Sequence, residues 1–248
     1  MVNDFYWDEL EKFVDEEIDK VYQARRAKRK KRDWFSASNA GFCKRATILN
    51  RLNAKEGEHD AKTKRIFWIG NLIHEGTIAL LKKAGKVVAD EEFVGSKFDG
   101  SDLVGAFDVI VKMSDGKNCL YELKSKNTGA FWTSIVRTGK PSLHNIYQAV
   151  TYYLLNKKHK VDSLTVTYIS KDDAAMRSFI IDLTPELIAE VQAWWQEVRE
   201  AFAKKELPPP YPETSWEFKG FCKNCTFNAH WCFGDKEQIK ENLVQLQW

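Results

Sequence analysis

The sequence predicts an α/β fold with a mixed central sheet flanked by helices, and three observations carry that expectation. The apolar residues recur at helical spacing up to about residue 84, alternate like strands from about 86 to 125, and return to helical spacing near 143. The resulting order is three helices, three strands, a helix, two strands and a helix, which is the pattern of an α/β unit. The composition can pay for a core, since 44% of the 248 residues are hydrophobic and 13% are aromatic, which excludes wholesale disorder. A chain of this length suits one large domain or two small ones. No run of about 18 apolar residues occurs, so a transmembrane helix is excluded. The formal charge of +3 says little about partners, but its distribution says more: seven of the eight residues 25–32 are basic.

Taken in order, residues 4–32 read as one amphipathic helix with Leu10, Phe13, Val14, Ile18 and Val21 at helical spacing. Its acidic half precedes its basic half, which suits the helix dipole. The start is acidic, without the basic and apolar stretches of a secretory signal, so the expected location is cytoplasmic and reducing. A second helix is expected from about Ser38, carrying Cys43. A third is expected over residues 64–84, with Ile66, Ile69, Ile73, Thr77 and Leu80 on its apolar side and Gly85 as its stop. The segments KVVADEEFVG, SDLVGAFDVIVKM and NCLYELKS alternate like strands, the last two joined by the turn SDGKN. A helix over 143–158 and the strands LTVTYIS and MRSFIIDL follow. Thr184 and Pro185 then open a Trp- and Glu-rich helix with a cap and a first-turn proline. It ends before the extended stretch LPPPYPE.

Strand geometry would put Val104, Ala106, Asp108 and Ile110 on one face of the second strand, and Leu120, Glu122 and Lys124 on one face of the third. Carboxylates inside a sheet are costly unless paired. Two readings follow: an ion pair with Lys124 in a partly exposed sheet, or a site for a hard divalent cation such as Mg2+ or Mn2+.

Gly105-x-x-Asp108, thirteen further residues, then Glu122-Leu123-Lys124 resembles the bipartite signature of the PD-(D/E)xK nuclease superfamily. Two further segments resemble the RecB-like branch: GNLIH from Gly70 to His74, and QAVTY from Gln148 to Tyr152. By spacing alone, Gln148 and Tyr152 share a helical face that is either an ordinary polar edge or a phosphate contact, and His74 is either a core residue or a ligand. The resemblance implies a restriction-endonuclease-like core and a metal-dependent deoxyribonuclease, often an exonuclease on single-stranded ends. It implies His74, Asp108, Glu122 and the Leu123 carbonyl as ligands of the divalent ion. It further implies Lys124 beside the attacking water, and Gln148 and Tyr152 shaping the site and holding DNA. Phe107 stands where the superfamily name has proline, a departure the RecB-like branch tolerates.

Cys222, Cys225 and Cys232 place three thiols within eleven residues, and Cys43 is available far upstream as a fourth. A thioredoxin-like setting for the CxxC pair is lacking. The pattern resembles the iron–sulfur centres of RecB-like nucleases found beside CRISPR systems and of AddB-type helicase–nucleases, and so implies a 4Fe-4S cluster tying the chain ends together. Four thiolates would also suit Zn2+, as would three with His230, and four unrelated buried thiols is the plainest alternative. Cys119 reads as core.

The expected organisation is therefore a basic N-terminal helix over 1–33, a RecB-like core over 34–206 that supplies Cys43, and a proline-rich connector with the cysteine region over 207–248. The expected partners are DNA, single-stranded or with free ends, and proteins of DNA repair, recombination or CRISPR adaptation, with no membrane. The block 25–32, Trp34 with Phe35, and Phe131 with Trp132 beyond Lys124 and Lys126 are candidate nucleic-acid contacts, or a solvated helix end and core aromatics. Lys171 follows a strand that could bring it to the site. The competing function classes are a non-catalytic DNA-binding or assembly protein on a nuclease fold, and a zinc-ribbon regulator, which would leave the acidic strands unexplained.

Overall fold

A computed structural model describes residues 5–28, 33–95 and 102–248, with all side chains except those of residues 5–8, 25–28 and 218. The strands are β1 (Phe35–Ser36), β2 (Val87–Asp90), β3 (Phe93–Val94), β4 (Leu103–Ala106), β5 (Val109–Lys112), β6 (Asn118–Lys126), β7 (Ser163–Ser170) and β8 (Met176–Ile181). The helices are α1 (Phe5–Lys28), α2 (Lys44–Arg51), α3 (Ala61–Lys83), α4 (Thr128–Phe131), α5 (Leu143–Leu155), α6 (Pro185–Ala203), α7 (Trp216–Gly220), α8 (Asn228–Trp231) and α9 (Lys236–Gln245).

The main sheet has the order β2-β5-β6-β7-β8 and is mixed: its central β6–β7 pair is parallel and the other pairs are antiparallel. A parallel pair needs a crossover, and the chain between β6 and β7, which holds α4 and α5, provides it. A smaller sheet, β1-β4-β3, lies alongside. On one face of the main sheet Ile110, Leu120, Leu164, Val166 and Tyr168 join Val150 of α5 and Val191, Trp195 and Val198 of α6 in the principal core. On the other face Val109, Val111 and Leu123 pack against Ile78 of α3. Helix α6 starts as expected, with Thr184 Oγ1 accepting from the Leu187 N–H at 3.2 Å. Trp195 Nε1 donates to Thr151 Oγ1 at 3.0 Å, which locks α6 onto α5 inside the core.

Several expectations need correction. The strand expected through Asp108 breaks at Phe107 and Asp108, so Val104 and Ala106 belong to the small sheet while Ile110 belongs to the large one. The second helix begins at Lys44, with Cys43 as its N-cap residue, because residues 37–39 form a separate 3-10 turn. Helix α3 starts earlier, at a cap made by Asp60 accepting from the Thr63 N–H at 2.6 Å. Its apolar stripe is not buried as a stripe: Ile66, Ile69 and Leu80 are exposed and Ile78 carries the packing. The same holds for α1, where Leu10, Phe13, Val14 and Val21 are exposed and Ile18 is buried. Ion pairs hold α1 to α3 instead, from Arg65 to Glu11 (2.5 Å) and Asp15 (3.0 Å) and from Lys64 to Asp19 (2.5 Å). The helical stretch after β6 and the three short C-terminal helices have no counterpart in the sequence reading.

Among the described residues no helix is long and apolar enough to cross a membrane. Thr151→Val leaves the Trp195 N–H buried without an acceptor, and should lower the unfolding free energy by about 1–3 kcal/mol, measured by urea denaturation. An unchanged midpoint would show that this bond does not fasten the two helices.

Candidate active site and cysteine cavity

The break before β5 is what brings the carboxylates together. Freed from strand geometry, Asp108 accepts from the Leu123 N–H through Oδ2 at 2.6 Å and meets His74 Nε2 through Oδ1 at 3.1 Å. His74 lies on the sheet-facing side of α3, four residues after Gly70, so both border the same cleft. On β6, Glu122 and Lys124 do share a face, and Lys124 Nζ stands 2.5 Å from Glu122 Oε1. That approach lacks hydrogen-bond alignment: both Glu122 oxygens and His74 Nε2 are buried without a hydrogen-bond partner among the described residues. Glu122 is 0% exposed. The cleft over this group has a volume of about 760 Å³ and is also bordered by Asn71, Glu75, Glu91, Ser125 and Lys171.

Charge follows from this packing. Burial pushes the Glu122 carboxyl up to about 7, with Asp108 adding to the shift and Lys124 opposing it. The Asp108 carboxylate, 3.1 Å from Nε2, holds His74 above its ordinary value against the effect of burial. Burial tends to strip the Lys124 proton, but the Glu122 and Asp108 carboxylates outweigh it and the ammonium is held above its usual value.

Glu91 belongs to this site although the sequence reading passed over it. Its backbone has a φ of +47°, a left-handed conformation unusual for a side chain larger than glycine. In that turn its N–H donates to the Asp108 carbonyl at 3.0 Å, and its carboxylate comes to 3.8 Å from His74 Nδ1. The run Asp90-Glu91-Glu92 at a strand end was the available signal. His144 was also missed. It packs edge-on against both the Phe42 and Phe221 rings, and burial, with Lys124 and Lys126 adding, drives it down to about 4, so it is neutral.

Gln148 and Tyr152 come together, but not on the cleft. Both are buried, and Gln148 Nε2 donates to Tyr152 Oη at 3.2 Å. Burial, then the Glu122 charge, keeps the Tyr152 phenol protonated. The Tyr152 ring explains Gly105: a Cβ there would lie 2.7 Å from the ring edge and 2.8 Å from Ala37. Phe35 and Phe131 are core residues, 1% exposed each, so neither is free to stack on a base. Trp132 is exposed and donates to Asp173 at 3.2 Å. Trp34 is half-buried. The side chains of the basic block 25–32 lie outside the described residues.

Cys43, Cys222, Cys225 and Cys232 line one small cavity with Phe42, Tyr211, Phe221 and Phe227. None is in a disulfide. Burial pushes Cys222 up to about 11 and Cys225 to about 12, and the neighbouring sulfurs add to both shifts. Cys43 is raised by burial against the N–H groups of Ala46 and Arg45, and Cys232 is raised by burial against the Arg45 guanidinium. Arg45 fastens this wall by donating to the carbonyls of Pro208 (2.9 Å) and Trp231 (2.8 Å). His230 does not border the cavity, and Cys119 is buried in the sheet, 3.2 Å from Thr165 Oγ1. Among the described residues no three His, Cys, Asp or Glu side chains are already gathered in a geometry that could hold a metal ion. The donor chemistry nevertheless fits: two carboxylates and an imidazole close together in one place, and four thiols outside any disulfide in the other.

No family model matches the chain, and no curated protein matches it. Among solved structures, the chain is similar to that of SSO0001, with a TM-score of 0.53 and 17% identity over 85% of this chain and 91% of that one. It is also similar to an alkaline exonuclease (LHK-Exo) from Laribacter hongkongensis, at a TM-score of 0.46 and 18% identity over 71% of this chain and 94% of that one. The complex of LHK-Exo with dAMP gives a TM-score of 0.49 and 18% identity over 69% and 91%. The match to SSO0001 shows a shared fold; the two weaker ones add nothing to it.

Glu122 and His74 are both raised above their ordinary values, so each favours folding while protonated. That contribution is complete below about pH 4.5 for Glu122 and is lost as pH rises through about 7; for His74 it is lost above its ordinary value of 6.5. Metal-free protein should therefore lose stability between about pH 5 and 7.5, and Glu122→Gln should flatten that decline and melt higher than the parent at pH 8. Urea denaturation in chelator across this range checks it; a parent whose stability rises with pH would contradict the burial of an uncompensated carboxylate.

Proposed function

We propose that the protein is a divalent-metal-dependent deoxyribonuclease of the PD-(D/E)xK, RecB-like kind, acting on single-stranded DNA ends. The observation that carries this reading is the convergence of His74, Asp108 and Lys124 on one cleft, with Glu122 fully buried beside Lys124 and its oxygens without a hydrogen-bond partner among the described residues. A sheet has little structural use for such a carboxylate, since desolvating it costs several kcal/mol that the single Lys124 ammonium offsets only in part. A Mg2+ or Mn2+ ion held by His74, Asp108, Glu122 and the Leu123 carbonyl would offset that charge. Such an ion supplies Lewis-acid charge that polarises a phosphodiester and acidifies water.

The chain's own groups do the rest. Lys124, kept protonated by the two carboxylates, acts as a donor that orients the attacking water and steadies negative charge on the phosphate, not as a base. Asp108 is fixed by the Leu123 N–H and in turn orients the His74 ring. Gln148 and Tyr152, buried and bonded to each other on α5, would support the site's shape near Glu122. The four-cysteine cavity is assigned to a 4Fe-4S cluster, or to Zn2+ as the other metal four thiolates accept. Its supporting observation is the shared cavity of four raised, unpaired thiols from both ends of the chain. Pathways of DNA repair, recombination or CRISPR adaptation all use an activity of this kind.

The test of the activity is digestion of end-labelled single- and double-stranded DNA with Mg2+ or Mn2+, on protein purified without oxygen. Asp108→Ala and Glu122→Ala should each lower cleavage on the order of 10³-fold or more while DNA binding persists. His74→Ala should be partly rescued by excess Mn2+. Parent-like cleavage by the two carboxylate variants would leave Glu122 as a partner of Lys124 and nothing more.

For the cysteines, Cys43→Ser should abolish broad visible absorption and lower the melting temperature by roughly 5 °C or more. Retained iron and an unchanged melting curve would remove Cys43 from the ligand set. A colourless parent protein containing zinc would decide for the other metal.

A further inference from the structure

Lys171 follows β7, the strand parallel to the one that carries Glu122 and Lys124, and its side chain reaches the same cleft. Its Nζ donates to the Ile66 carbonyl of α3 at 2.7 Å. An ammonium has three N–H donors, so that bond leaves two. Among the described residues no carboxylate stands at ion-pair distance from Lys171, whereas Lys124 is committed to Glu122. The cleft is otherwise acidic, bordered by Glu75, Glu91 and Asp108. A polyanion entering it needs a cation that is not already neutralised.

Gly70 makes room for this amine. A Cβ on Gly70 would lie 3.1 Å from Ser125 Oγ and 3.4 Å from Lys171 Nζ, so a side chain there would crowd both groups at once. Gly70, Ser125 and Lys171 thus form a small cationic recess with a hydroxyl beside it, one residue along β6 from Lys124.

We propose that Lys171 and Ser125 bind a backbone phosphate of the nucleic acid next to the one that is cut, with Gly70 as the vacancy that admits its oxygens. This assignment rests on the nuclease reading for its substrate. It makes Lys171 a binding residue that fixes the register of the strand, so that the neighbouring phosphodiester lies at His74, Asp108 and Glu122. The competing role, a tie between β7 and α3 through the Ile66 carbonyl, needs neither Ser125 nor the recess.

The experiment compares the full-length parent, Lys171→Met, Lys171→Arg and Ser125→Ala. It uses a fluorescent single-stranded oligonucleotide for affinity at several salt concentrations and an end-labelled one for cleavage with Mn2+. Lys171→Met should weaken affinity about tenfold and reduce the log–log salt slope by about 0.7. The loss of cleavage should appear in KM more than in kcat, Lys171→Arg should recover most of it, and Ser125→Ala should weaken affinity less. Parent-like affinity and slope in Lys171→Met, with or without a lower melting temperature, would overturn the proposal and leave the tie to α3. Should the parent bind DNA with a Lys171-dependent slope but cut nothing, the phosphate site stands and the nuclease reading fails. A parent that neither binds nor cuts overturns both.

Discussion

The buried carboxylate of Glu122 is the constraint around which the site is arranged. It sits on a central strand, 0% exposed, with neither oxygen hydrogen-bonded among the described residues. A structure stable by only about 5–15 kcal/mol in total does not carry such a group without a counterweight. Part of that counterweight is visible in the Lys124 ammonium at 2.5 Å, and part in a carboxyl pushed toward neutrality. Both answers are incomplete, because Asp108 brings a second carboxylate, and His74 an imidazole, within electrostatic reach of Glu122. A divalent cation at the proposed site would offset all three at once.

The architecture around Glu122 serves that arrangement. The parallel β6–β7 pair sets Glu122 beside Val166 and Lys124 beside Tyr168. Behind them α5 presents the Gln148–Tyr152 pair, and Gly105 gives the Tyr152 ring its place. In front, α3 presents Gly70 and His74 at one helical repeat. The cysteine cavity lies on a separate core built from α2 and the C-terminal helices. His144, packed against the cavity-lining Phe42 and Phe221 and kept neutral by burial with Lys124 adding, touches the cavity wall from the side of the sheet lysines.

Much of this was legible in the sequence because periodicity is local. The β6 alternation placed Glu122 and Lys124 on one face, and the helical spacing of Gly70 to His74 and of Gln148 to Tyr152 placed each pair together. The order of helices and strands gave the mixed sheet. What escaped was set by contacts between distant segments. Nothing local says that the strand must break at Phe107, yet the break is what turns Asp108 toward Leu123 and His74. Glu91 enters through a left-handed turn bonded to Asp108, and the apolar stripes of α1 and α3 are only partly buried because ion pairs join those helices. Gln148 and Tyr152 share a face as expected, but burial decides what that face does, and it looks inward.

If the account is right, a cation binds by displacing protons from this cluster. Calorimetric titration of the parent protein with Mn2+ at pH 6.5, in buffers of different ionisation enthalpy, measures that directly. Binding should be accompanied by proton release, since burial raises the Glu122 carboxyl to about 7 in the free protein, and Glu122→Gln should lose both the affinity and the release. Mn2+ binding without proton release, or binding of equal strength in Glu122→Gln, would contradict the claim that the buried carboxylate is there to hold a metal.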